Sequence, residues 1–66
     1  MNYPKITLKA ARVNAGLSQK EAAEKLNISK CTLSNYEKGI FSPSWDMVKK
    51  IGNLYDFPID FIFFGP

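Results

Sequence analysis

A chain of 66 residues with a net charge of +3, nine basic side chains against six acidic ones and no histidine has room for one small core and little else. Its lone Cys31 excludes an internal disulfide and, without histidine, leaves no zinc ligand set, which fits a reducing cytoplasm. No run approaches the ~20 apolar residues that span a bilayer, and no secretory hydrophobic region opens the chain.

Leu8, Ala11 and Ala15 recur at helical spacing, predicting a first helix from about Lys5 to Asn14 that Gly16 stops. Ser18 followed by Glu21 is a capping box, so a second helix begins there. Its Ala22, Ala23 and Leu26 form a narrow apolar stripe whose small residues let another helix cross closely. Asn27 suits a turn that needs positive φ, Ile28 plugs the core, and Ser29 caps a third helix. That helix sets Leu33 and Tyr36 on one side and Lys30, Cys31, Ser34 and Asn35 on the other, and Gly39 closes it. Two short helices about a tight turn, over residues 18–38, have the form of a DNA-reading helix-turn-helix.

Pro43 makes Ile40 to Pro43 a loop, after which Ser44 caps a fourth helix with Trp45, Val48, Ile51, Gly52 and Tyr55 along one face. Pro58 then opens a short fifth helix over Ile59 to Phe63. Nothing alternates like a strand. The expectation is an all-α fold of five helices, a single domain over residues 1–66. The nine aromatic residues, Tyr3 among them, are expected mostly in its core.

Charge is unevenly spread. Lys5, Lys9, Arg12, Lys20, Lys30 and Lys38 lie in the first two thirds, and Asp46, Asp56 and Asp60 toward the end. The half that holds the helix-turn-helix is the basic half, which is compatible with a polyanionic partner, a solvated lysine-rich face being the alternative. No histidine, glycine-rich phosphate loop or pair of acids supplies catalytic groups, so an enzyme is not expected. No cofactor is evident.

The ordered set Arg12, Gly16, Leu17, Ser18, Gln19, then Ala23, Ile28, Leu33, Tyr36, Glu37, Gly39, Pro43 and the closing Ile59, Asp60, Phe61, Ile62 resembles the Cro and cI-like phage repressor family, the xenobiotic-response-element type of helix-turn-helix. The resemblance covers nearly the whole chain. It implies a compact, lambda-repressor-like, five-helix DNA-binding fold and a transcriptional regulator of bacterial or prophage origin, acting as a repressor on a double-stranded operator. It also implies roles for particular residues. Arg12 and Glu37 would form a structural ion pair. Gln19 would bond a DNA phosphate and brace the recognition helix. Base reading would fall to Lys30, Cys31, Ser34 and Asn35.

Lys30 can donate to guanine O6 and N7, and Asn35 can pair with the N6 and N7 edge of adenine. The Cys31 thiol is a weak donor, able instead to pack against a thymine methyl. Ser29, Thr32, Lys38 and Ser42 are candidates for the sugar-phosphate backbone. One helix reads few base pairs, so tight binding implies a homodimer on a near-palindromic site. Phe63 and Phe64 are the interface candidates, with closure of the core as their alternative use. A second functional reading is a protein-interaction helix-turn-helix, as in antitoxins or partner-controlled regulators. Met1 suits an authentic start, against the alternative of a reading head cut from a longer regulator.

Overall fold

Four hydroxyl side chains set the beginnings of four helices. In a computed structural model, which describes residues 5–66, helix α1 spans Leu8–Asn14, α2 Gln19–Leu26, α3 Lys30–Lys38 and α4 Trp45–Tyr55. Each is preceded by an extended Thr7, Ser18, Ser29 or Ser44 whose oxygen accepts the amide three residues on, at 3.0 to 3.2 Å. At Ser18 the bond is reciprocated, since Glu21 accepts the Ser18 amide at 2.9 Å. That amide holds the Glu21 carboxyl below its ordinary range, with the Ser18 hydroxyl a lesser cause.

The helices stop as they start, by local chemistry. Gly16, Asn27, Gly39 and Asp56 all take positive φ, at 78°, 59°, 78° and 52°, and so turn the chain out of each helix. Gly39 has a second reason to lack a side chain. A Cβ there would lie 3.3 Å from the Gly65 Cα, because the end of the chain returns beneath the end of α3.

Leu8, Leu33 and Ile51 are fully buried, one each from α1, α3 and α4, and α2 contributes Ala22, Ala23 and Leu26. Each of the larger three stabilises the fold by about 1.5–3 kcal/mol through burial alone. The alanines let α2 and α3 cross closely. Ile28, Tyr36, Met47, Leu54, Phe57 and Phe64 pack around this centre, and Tyr55 and Ile62 are buried within it. Gly52 fits the same close packing. A Cβ there would collide with Ile59 Cγ2.

The two ends of the chain depart from the expected all-α, five-helix form. The first helix begins at Leu8, not Lys5, and Ile6–Thr7 is instead a strand, β1, paired in parallel with β2, Ile62–Phe63, in the register Ile6 to Ile62 and Thr7 to Phe63. The expected fifth helix shrinks to one 3-10 turn, Ile59–Phe61. The chain is thus mostly helical, with four α-helices among the described residues and a two-residue ladder tying its ends. The physical cause is that Ile62 and Phe63 meet backbone partners across the fold, which a local helix could not offer, and β-branched and aromatic residues favour that extended state.

Burial along α4 is also shifted. Met47, Ile51, Leu54 and Tyr55 face the core, whereas Trp45 is 64% exposed at the first turn. Ala15 is exposed as well, beyond the end of α1. Of the aromatics expected inside, Phe41 and Phe63 are exposed with Trp45. Tyr3 lies outside the described residues.

Candidate nucleic-acid interface

The surface of interest is built on α3, and what orients α3 is one carboxylate. Glu37, near its end, accepts the Arg12 Nε of α1 on Oε2 at 2.7 Å and the Gln19 Nε2 of α2 on Oε1 at 3.1 Å, with Arg12 Nη2 a longer 3.5 Å from Oε1. Arg12 Nη1 also donates to the Leu17 carbonyl at 3.0 Å, closing the turn between α1 and α2. The pair is nearly sealed from water, the two side chains being 9% and 6% exposed. A single carboxylate therefore joins three helices, and it sits four residues beyond the buried Leu33 on the inner side of α3. The resemblance implies that Gln19 braces the recognition helix and that Arg12 pairs with Glu37; what it does not state is that both donors share one carboxylate, one on each acceptor oxygen.

The other side of α3 is free. Lys30 and Cys31 are exposed, Ser34 and Asn35 half-buried. The Asn35 Nδ2 lies 4.0 Å from the Cys31 Sγ, one turn back, a weak contact that leaves the amide oxygen unspent. Ser29 and Thr32 are spoken for locally: their hydroxyls lie 2.8 Å apart, and Ser29 caps the helix through the Thr32 amide. Ser29 retains one further hydrogen-bonding position and Thr32 two. Lys38 and Ser42 are exposed at the far end of α3 and in the loop after it. Ile40, Phe41 and Trp45 are exposed around that loop, at 60%, 58% and 64%.

Phe63 and Phe64 separate. Phe63 is 58% exposed, with the Lys5 ammonium 5.2 Å from its ring centre, while Phe64 packs against the core. Phe63 presents the larger surface, Phe64 being half-buried.

Tyr55 is buried within reach of the Arg12 and Glu37 charges, and its hydroxyl has no hydrogen-bond partner. Burial, with the Glu37 charge adding and the Arg12 charge opposing, pushes its pKa up to about 12. Tyr55→Phe removes the orphan oxygen, so stability at neutral pH should stay within about 1 kcal/mol of the parent or rise. At alkaline pH the two proteins should diverge. The unfolded chain ionises near the ordinary value of 10.0 while the folded one resists. The parent therefore keeps full stability below pH 10 and loses it as pH climbs toward about 12, at up to about 1.4 kcal/mol per pH unit. Urea unfolding of both proteins from pH 8 to 11.5 checks this, and parallel curves would contradict it.

No group of three or more metal-ligating side chains gathers among the described residues, and no described helix is long and apolar enough to cross a membrane.

Comparison with known proteins agrees with this geometry. A family model described as helix-turn-helix matches residues 8–62. The chain is 51% identical over 55 residues to the HTH-type transcriptional regulator ImmR of Bacillus subtilis (strain 168), covering 83% of this chain and 43% of that protein. It is 40% identical over 48 residues to the cryptic phage CTXphi transcriptional repressor RstR of Vibrio cholerae, covering 73% of this chain and again 43% of the relative. The match thus spans less than half the length of these relatives. No solved structure gives a significant match.

Proposed function

The chain belongs to the helix-turn-helix family, of the Cro and cI-like repressor kind, and from that premise we propose that it is a sequence-specific DNA-binding transcriptional repressor that lays α3 in the major groove of an operator half-site. One observation carries the reading. The Glu37 carboxylate, held by Arg12 and Gln19, pins the inner side of α3 to α1 and α2 and so aims its outer side away from the body. A reading helix must be held this way, because bidentate recognition of a base edge tolerates little angular freedom. The names of both relatives, a transcriptional regulator and a phage repressor, point the same way.

Lys30 and Asn35 supply donors and acceptors to the bases, Cys31 and Ser34 lie on the same side, and Gln19, Ser29, Thr32, Lys38 and Ser42 border it as phosphate contacts. Two copies, with Phe63 in their contact, would place two such helices about one DNA turn, ~34 Å, apart. The repressor acts by covering a promoter. The single domain of residues 1–66 belongs to this reading.

Separating base from phosphate contacts tests it. Asn35→Ala should lose about 1–3 kcal/mol of discrimination at one base position, about 5- to 150-fold, and leave other positions alone. Lys38→Ala should weaken every duplex by a similar factor and reduce the salt slope by about 1. Equilibrium titrations against single-base variants of one site read both effects. Uniform weakening by Asn35→Ala would remove it from the base readers.

A further inference from the structure

A cleft of about 320 Å³ opens where α1, α2 and α3 meet, lined by Lys9, Arg12, Gln19, Ser34, Glu37 and Lys38. Its floor is the nearly sealed pair of Arg12 and Glu37. Above the floor stand Lys9 from α1 and Lys38 from α3, both exposed, with the half-buried Gln19 and Ser34 between them. The lining holds three cations and one anion. The anion is already engaged by Arg12 and Gln19. What remains is a net positive recess with amide and hydroxyl groups at its edge, and it touches the outer side of α3 through Ser34.

Two other clefts lack this chemistry. The one beside Lys49, Asn53 and Asp56 sets a cation against a carboxylate, and the one formed by Ile6, Ala10, Val13, Asn14 and Phe57 holds no charged side chain.

We propose that this three-helix cleft seats one phosphate of the DNA backbone, and that Lys9, a residue of α1 outside the helix-turn-helix, is its principal cation. The inference rests on the DNA-binding reading above and deepens it. Space is adequate, since the cleft is several times the ~30 Å³ that one water occupies in the liquid. Chemistry is adequate too. Lysine is a compact ammonium on a flexible stem, able to follow a phosphate, while Arg12 is held in place by its pairing with Glu37. Three of the five Arg12 donor hydrogens are committed, to Glu37 and to the Leu17 carbonyl, so the guanidinium still has donors to offer. A phosphate seated here would be gripped from three helices at once, which fixes the body of the protein on the duplex and not just its reading helix.

The test compares the parent with Lys9→Ala, Lys9→Arg and Lys50→Ala, the last an exposed lysine of α4 that does not line this cleft. Affinity for one duplex carrying a selected site, and for a scrambled duplex, is measured across a salt series. Lys9→Ala should cut the slope of log K against log salt by about 0.9 and weaken both duplexes by the same factor. Lys9→Arg should keep the parent slope, and Lys50→Ala should match the parent. Methylphosphonate placed at single positions should reveal one phosphate whose loss weakens the parent markedly more than it weakens Lys9→Ala. An unchanged slope in Lys9→Ala, or additive losses at every phosphate, overturns the cleft assignment alone. Failure of the parent to bind any duplex overturns the DNA-binding reading itself, so the two failures are distinct.

Discussion

Arg12→Ala should cost about 3–5 kcal/mol and leave little folded protein at 37 °C. The magnitude follows from what stays behind. Glu37 is 6% exposed at its side chain, and without Arg12 its charge keeps only the neutral Gln19 amide as a close donor. Removing one member of a buried pair strands a charge away from water, and that penalty exceeds anything the pair contributes when whole. An exposed pair behaves differently: Asp46 and Lys49, 3.9 Å apart on the surface of α4, should matter by less than about 1 kcal/mol when either is truncated. A chain this short rarely holds more than about 3–5 kcal/mol from its core, so the loss consumes nearly all of it. Replacing both partners, as in Arg12→Met with Glu37→Leu, should recover much of the stability because no charge is left unpaired. It should not recover tight DNA binding, because α3 then loses its tie to α1 and α2. Urea unfolding gives the first result and duplex titration the second. A single variant as stable as the parent would show that the pair is open to water.

Leu33→Ala should be nearly as damaging, at about 2–5 kcal/mol. Leu33 is fully buried at the centre of α3, and its neighbours Leu8 and Ile51 are themselves fully buried. Well-packed surroundings cannot collapse into the space, so a cavity adds to the lost transfer energy. Ser34, one residue on, is half-buried at the outer side, and Ser34→Ala should leave stability within about 0.5 kcal/mol. The contrast between adjacent positions assigns the inner and outer sides of α3 by stability alone. A loss below about 1 kcal/mol for Leu33→Ala would mean that α3 is not seated as described.

The helix-turn-helix was legible in the sequence because its signals are local. Ser18 with Glu21 and Ser29 announce starts, and Asn27 and Gly39 announce stops, each through bonds within a few residues. Thr7 was an equally good cap for α1, and reading it as one would have moved the first helix from Lys5 to Leu8. The strands were not legible. Ile6–Thr7 and Ile62–Phe63 are two residues each, too short for any period, and they exist only because the folded helices bring the ends together. Trp45 misled for a related reason. It falls at the edge of the stripe that carries Ile51 and Tyr55, and at the first turn of α4 it stays 64% exposed, with only the Lys49 ammonium 5.9 Å from its ring centre. In the interface, the outer residues of α3 follow from helical spacing. The three-way bond at Glu37 and the cleft above it depend on three helices converging, which spacing along one helix does not encode.

If this chain reads DNA sequence, selection of binding sites from a random duplex pool at physiological salt should enrich one consensus, arranged as two inverted half-sites about one helical turn apart. Retention that is weak, salt-sensitive and without any enriched sequence would contradict it.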